Sequence, residues 1–405
     1  MNVIAEPTGP RAIALLALAG FFSSAAFRIC DPLLPQLANE FRTTTGAAAS
    51  TITVFSIAYG ALQILWGPVG DRFGKYRTAA FATVACAAGN LGALFADSLG
   101  ALIVARALAG ATGGGIIPLA IAWIGDTVAY QQRQMALARF MTGTILGIAS
   151  GQFVGGLFVD TLGWRYAFAA LTAGYVLVGI LLQFELRHAR RLARNAPVDA
   201  ALPAPAPVLA RAAAVLRDRW ARVVLVTILI EGAIVLGALA FVPSALHERF
   251  GISLTAAGAI VSAYGFGGVA YTLVARPLVG RLGERGLALG GGAVMLLSFA
   301  ALWLASSTGV ALVACFVLGF GFYMLHNTLQ TNATQMAPKA RGIAVAMFAS
   351  CFFVGQSLGV ALASLIVDHA GLKWLDPLAM VLMPMLAIAF AQQLRTRPAK
   401  HFEAS

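Results

Sequence analysis

The chain has 405 residues, 60% of them hydrophobic and 11% charged, with a formal net charge of +12. Soluble proteins carry about 25% charged residues, so a soluble enzyme or binding domain is excluded, and no nucleic-acid partner is needed to explain the positive charge. Apolar blocks of about 20 residues, the length that crosses a bilayer core, recur along the sequence instead.

In chain order the predicted helices are α1 (11–30), α2 (47–66), α3 (78–96), α4 (100–124), α5 (139–159) and α6 (165–184). A segment 185–220 follows, with Arg187, Arg190, Arg191 and Arg194 and then Pro203, Pro205 and Pro207. Its end, from Leu209 to Trp220, reads either as an amphipathic helix on the membrane surface or as a solvated loop. Then come α7 (221–243), α8 (254–275), α9 (286–305), α10 (309–331), α11 (342–367) and α12 (375–393). The expected class is an all-α membrane protein with a six-helix bundle at 1–184, a linker at 185–220 and a second bundle at 221–405. The first apolar block is expected to be a retained helix rather than a cleaved signal.

Placing both termini on one side puts 22 of the 28 Lys and Arg there. Only Arg42, Arg165, Arg249 and Lys373 fall on the other side, and Arg28 and Arg106 lie within helices. Basic loops stay in the cytoplasm, so both termini are expected inside. The four cysteines have neither metal-site nor disulfide spacing, and no metal or cofactor is expected.

The two halves repeat. Pro68, Arg72 and Gly74 return as Pro277, Arg281 and Gly283, offset by 209, and the same offset carries Gly110 onto Gly319. Gly151, Gln152 and Gly155 return as Gly355, Gln356 and Gly359, offset by 204.

Five charged or histidine side chains interrupt the apolar spans away from the cytoplasmic ends: Arg28 and Asp31 on α1, Arg106 on α4, Glu231 on α7 and His326 on α10. Such residues inside a bilayer segment usually face a cavity or a counter-ion. At 1.5 Å rise per residue, Glu231 falls near the midplane, His326 in the inner half, and Arg28, Asp31 and Arg106 in the outer third. Burial favours the neutral form of a carboxyl group and a nearby arginine favours the charged form. Asp31 beside Arg28 or Arg106 therefore suits a proton that binds and leaves, and Glu231 suits a proton or a cationic substrate. Arg106 reads alternatively as an arginine snorkelling to the interface, Glu231 as a hydrogen-bonded structural acid, and His326 as a histidine bonded to a helix carbonyl. Tyr323 and Asn327, with Tyr59, Gln63, Tyr264, Gln152 and Gln356, either shape a binding site or pack between helices.

After α2 the chain reads Gly67-Pro68-Val69-Gly70-Asp71-Arg72-Phe73-Gly74-Lys75, which resembles the cytoplasmic signature of the major facilitator superfamily. Gly67 would permit close helix approach, Asp71 would act on a helix N-terminus or a nearby arginine, and Gly74 would permit the turn. Arg106 followed by Gly110 resembles the same family's element in α4, and Asp31-Pro32 with Pro35 its element in α1. On α5, Gly143, Gly147, Gly151, Gln152, Gly155 and Gly156 resemble its antiporter signature, with Gln152 where the family has proline. Glycines four apart also serve plain helix packing.

The resemblance is to bacterial twelve-helix drug and metabolite proton antiporters. It implies two pseudo-symmetric six-helix bundles around a central cavity lined by α1, α4, α7 and α10. It also implies an inner-membrane carrier working as a monomer by alternating access, with a small organic substrate, protons and lipid as its partners. The loop from Gly67 to Lys75 would latch the halves on the cytoplasmic side. Since Gly280 and Arg276 replace the acid and first glycine in the second copy, that latch is expected to be asymmetric and led by Asp71. The expected function is proton-coupled export. An alternative is a proton symporter taking up an organic anion or sugar, which Arg28 and Arg106 in one cavity would suit. A membrane enzyme or sensor is the reading from another class, but the chain has no H-x-x-x-H, nucleophile elbow or phosphate loop.

Overall fold

The computed structural model describes residues 6–7, 9–192, 208–337 and 341–397. The proline run of the linker, Arg194, Lys339 and Lys400 lie outside the described residues.

Among the described residues, ten helical runs are long and apolar enough to cross a membrane. One of them, Leu254–Trp303, breaks at Gly283 (φ 62, ψ 175) into α8 and α9. The helix Lys75–Leu94 supplies α3. The others are α1 Pro10–Glu40, α2 Thr45–Phe73, α4 Leu99–Thr127, α7 Arg219–Phe250, α10 Thr308–Gln335, α11 Arg341–Ala370 and α12 Leu372–Arg395, with α5 Tyr130–Thr161 and α6 Trp164–Leu192. Twelve helices among the described residues bring Pro10 and Arg395 to one end, called here the terminal end; the opposite end is the far end.

The repeat extends to the caps. Thr44 and Ser253 accept the N–H groups of Ala47 and Ala256 at the starts of α2 and α8. Ser98 and Ser307 do the same for α4 and α10. Each pair is offset by 209, and each hydroxyl satisfies an amide that the helix leaves unpaired. Gly74 (φ 91) and Gly283 (φ 62) make the equivalent turns after α2 and α8, a conformation that favours glycine.

Several helices depart from the sequence expectation, and the linker takes one of the two forms expected of it. Helix α1 does not stop near residue 30: a 3₁₀ turn at Asp31–Leu33 lets it continue as Leu34–Glu40, because Pro32 and Pro35 withhold backbone donors there. Helix α6 runs to Leu192 rather than 184, carrying buried Leu186 along its inner face. Within the linker, Val208–Arg217 is helical. Helix α7 contains a π-helical segment, Gly232–Leu236, directly after Glu231.

Small residues set the packing within each half. A Cβ on Gly147, Gly151 or Gly155 of α5 would strike the carbonyls of Phe21, Ala25 or Ile29 of α1. In the second half, Gly355 and Gly359 of α11 meet the carbonyls of Leu229 and Ala233 of α7 in the same way. Gly110 against Phe55 and Gly319 against Tyr264 repeat the contact for α4 with α2 and α10 with α8.

Two seams join the halves. Along α5 and α8, Gly156 sits on Leu254 and Thr255, Gly258 sits on the Gln152 carbonyl, and Ser262 Oγ donates to the Ala149 carbonyl at 2.7 Å. Along α2 and α11, Gly60 sits on Phe353 and Ser357 Oγ donates to the Thr53 carbonyl at 2.9 Å. Both seams lie in the half of each helix nearer the far end. Toward the terminal end, a Cβ on Gly67, Gly280 or Gly342 would meet nothing within 4 Å. The two seams close the molecule at the far end.

Candidate functional site

Two clusters of charged or histidine side chains lie inside the spans, one in each half. In the first, the 3₁₀ turn presents Asp31 to two helices. Arg28 Nη2 stands 2.9 Å from Asp31 Oδ2, with both side chains buried. Gln152 Nε2 of α5 donates to the same oxygen at 3.0 Å. Among the described residues Asp31 Oδ1 and both Arg28 Nη atoms have no hydrogen-bond partner, so the Arg28 contact is an ion pair rather than an aligned hydrogen bond.

Arg106 does not join that pair directly. Its Nη2 donates to the Ala26 carbonyl at 2.9 Å and its Nε to the Thr51 carbonyl at 3.4 Å. Its guanidinium lies 3.9 Å from the centre of the Phe55 ring, a cation–π distance. Fully buried, it does not snorkel outward, and it ties α4 to α1 and α2.

In the second half, His326 Nδ1 lies 2.8 Å from Glu231 Oε2. Glu231 is 0% exposed and His326 14%. Glu231 Oε1 has no partner. The histidine bonds this carboxylate rather than a helix carbonyl. Its ring stacks on Phe322 at 4.8 Å and meets Phe352 and Phe348 at 5.0 and 5.7 Å. Tyr323 covers Gly268 and approaches the histidine at 6.2 Å, while Asn327 turns to Tyr271. Tyr264 of α8 lies within electrostatic reach of both Arg28 and Glu231, and its buried hydroxyl has no partner. It stands between the two clusters.

An aromatic belt spans the halves. Phe353 of α11 packs on Phe27 at 5.0 Å and Tyr59 at 4.6 Å, and continues through Phe352 at 5.5 Å to His326. The phenylalanines drew no attention in the sequence, because a phenylalanine in a membrane helix is ordinary and only the fold aligns these.

The loop from Gly67 to Lys75 makes its observed contacts within the first half. Asp71 Oδ1 stands 3.4 Å from Lys75 Nζ, and Lys75 also pairs with Asp126. Arg72 lies over Phe73. Asp71 thus meets a lysine one turn on, not a helix N-terminus or an arginine, because residues four apart share a helix face, and Gly67 approaches no neighbouring helix among the described residues. Of the α5 glycines, Gly143, Gly147, Gly151 and Gly155 face α1, and Gly156 faces α8.

Two carboxylates that the sequence did not single out close the far end. Asp160, ending α5, accepts the N–H groups of Leu254 and Thr255 at 3.2 and 2.6 Å and the Thr255 hydroxyl at 2.6 Å. Asp368, near the end of α11, accepts the Gly46 N–H at 3.0 Å and the Thr44 hydroxyl at 2.7 Å. Each acid caps the opening turn of a helix in the other half, where unpaired N–H groups and the helix dipole favour a negative charge. The signal was available: both acids end a helix of the repeat and face capping residues 209 apart.

Comparison with known proteins gives a match to the Major Facilitator Superfamily over residues 16–360. An uncharacterized MFS-type transporter, YwfA of Bacillus subtilis, is 25% identical over 361 residues, covering 87% of this chain and 85% of its own length. The multidrug resistance protein fnx1 of Schizosaccharomyces pombe is 32% identical over 174 residues, 42% of this chain and 32% of the relative. The efflux pump dotC of Dothistroma septosporum is 31% identical over 154 residues, 38% of this chain and 26% of the relative. The matched stretch is thus about a quarter to a third of the length of these fungal relatives.

Proposed function

Because the chain belongs to the major facilitator superfamily, we propose that this non-enzymatic carrier exports small organic compounds in exchange for protons. One observation carries the reading: the two halves each bury one carboxylate, Asp31 and Glu231, on their first helix, with one oxygen against a base and the other without a partner. A carboxylate so placed can take a proton at its open oxygen and release its base, or give the proton up and recover the ion pair. Alternating access would let the same oxygen meet each side of the membrane in turn.

The direction of transport rests on two supports. Relatives sharing about 30% identity are named efflux pumps or multidrug resistance proteins, and the aromatic belt beside Glu231 and His326 suits apolar or aromatic compounds. The alternative, uptake of an organic anion, drew on two arginines facing one cavity. Arg106 instead bonds main-chain carbonyls through two of its nitrogens and Arg28 faces Asp31, which supports export over that alternative. In this reading the terminal end faces the cytoplasm of a bacterial cell, the basic residues marking that side. The loop from Gly67 to Lys75 would latch the halves when that end closes.

The test uses acidified inverted vesicles containing the protein and a fluorescent reporter of internal pH. Adding cationic, neutral and anionic compounds in turn is expected to release protons with some of them. The response should vanish in the double variant Asp31→Asn, Glu231→Gln. Labelled solute that equilibrates without any proton release would overturn exchange.

A further inference from the structure

We propose that Gln152 is a positioning residue that ties Asp31 to the α5–α8 seam, so that a change at the carboxylate reaches the contact closing the far end. The inference rests on the proton coupling proposed for Asp31.

Gln152 faces two ways. Its side chain donates to Asp31 Oδ2 at 3.0 Å, while its backbone carbonyl lies where Gly258 of α8 leaves room for it. The next turns of α5 carry the rest of the seam, Gly156 on Leu254 and Thr255 and Asp160 on the α8 N-terminus. One turn before, the Ala149 carbonyl accepts from Ser262. No other side chain hydrogen-bonds Asp31 among the described residues. The charged and titratable groups around the carboxylate are Arg28 and Cys30 on its own helix, Arg106 from α4 and, through Arg28, Tyr264 from α8.

An amide suits this position because it has a donor end and an acceptor end. It gives an N–H to an ionised carboxylate. Turned over, it accepts the O–H of a neutral one. The bond persists in both states but reverses, and the reversal moves a side chain whose backbone is part of the seam. Proline or an apolar residue could not do this.

The repeat supplies the internal comparison. Gln356 occupies the equivalent position on α11, 204 residues on, and the residue matching Asp31 at that offset is Val235. Gln356 is fully buried and both of its amide atoms lack a partner. The second seam has the amide without the acid, so coupling to a carboxylate belongs to the α5–α8 seam alone.

The experiment places spin labels at Leu162→Cys and Leu304→Cys, both exposed at the far end, in full-length protein in nanodiscs. A Cys351→Ser background avoids stray labelling, since the other three cysteines are buried. Double electron–electron resonance reads the distance between the halves from pH 5 to 9. A pH-driven change is expected that Asp31→Asn removes. In Gln152→Met, which keeps the bulk but loses the amide, the midpoint is expected to move to higher pH by about one unit, tenfold in proton concentration, because the bond lost from the ionised carboxylate is stronger than the one lost from the neutral form. Gln356→Met should leave it in place. An unmoved midpoint in Gln152→Met, or an equal move in Gln356→Met, overturns the role of Gln152 and leaves Asp31 coupling standing. No pH-driven change in the parent protein refutes Asp31 coupling and this inference with it.

Discussion

A carboxylate inside a helix bundle persists only where a neighbour takes up its charge or its proton. Asp31 has Arg28 and Gln152, and Glu231 has His326. The second pair is set among aromatic rings, which offer no hydrogen bond in exchange. Replacing His326 by leucine alone would leave Glu231 buried without a partner, at a cost of about 1–3 kcal/mol. The double variant His326→Leu, Glu231→Leu is expected to be the more stable of the two, as apolar replacement of both members of a buried pair often is. Thermal unfolding in detergent checks this; a less stable double variant would show that the two side chains do not compensate one another. The sequence located these residues by their rarity within apolar spans. It left Arg106 undecided because an arginine's long stem reaches either outward or onto carbonyls, and only the position of α1 and α2 decides.

At the scale of the helix, glycine spacing was legible but its target was not. Gly151 and Gly67 look alike in sequence. Gly151 lies against the Ala25 backbone while Gly67 faces open space. Gly151→Ala is therefore expected to cost about 1–3 kcal/mol through overpacking, and Gly67→Ala to change stability by less than about 0.5 kcal/mol. Equal unfolding temperatures for the two variants would contradict the packing described. The start of α3 gives a pH-dependent case. Glu6 Oε1 accepts the Tyr76 N–H at 2.8 Å, and burial pushes its carboxyl above the ordinary value of 4.5. A raised folded value means the neutral form is favoured when the segment is docked. The stabilisation is present in full below the ordinary value and is lost as pH rises through the folded one. Proteolytic cleavage before Pro10 should accordingly be slower near pH 4 than at pH 7, and Glu6→Gln should flatten the difference. The π-helical segment after Glu231 had no clear sequence signal, since it depends on how α7 accommodates α11.

For the whole molecule, the balance between closed and open far ends depends on few polar contacts. Asp160 and Asp368 each hold the opening turn of a helix across a seam. Hydrogen bonds to charged groups contribute about 1.5–3 kcal/mol each, and 1.4 kcal/mol is about tenfold in a population. Replacing both acids by alanine should therefore raise the open-to-closed ratio at the far end by about tenfold or more. The label pair at Leu162 and Leu304 would read it as a longer distance, and an unchanged distribution would show that apolar packing alone keeps this end shut.

The sequence by itself determined the class, the helices, the twofold repeat and the unusual side chains within the spans. Those follow from local quantities: the length of an apolar run, the scarcity of charge, and residues recurring at offsets of 209 and 204. Tertiary structure alone decided which base each acid meets, that Arg106 bonds carbonyls, and that Asp160 and Asp368 cap helices of the opposite half. It also decided that the far end is closed. Each of these depends on the placement of one bundle or helix against another, and a carrier must leave that placement free to change.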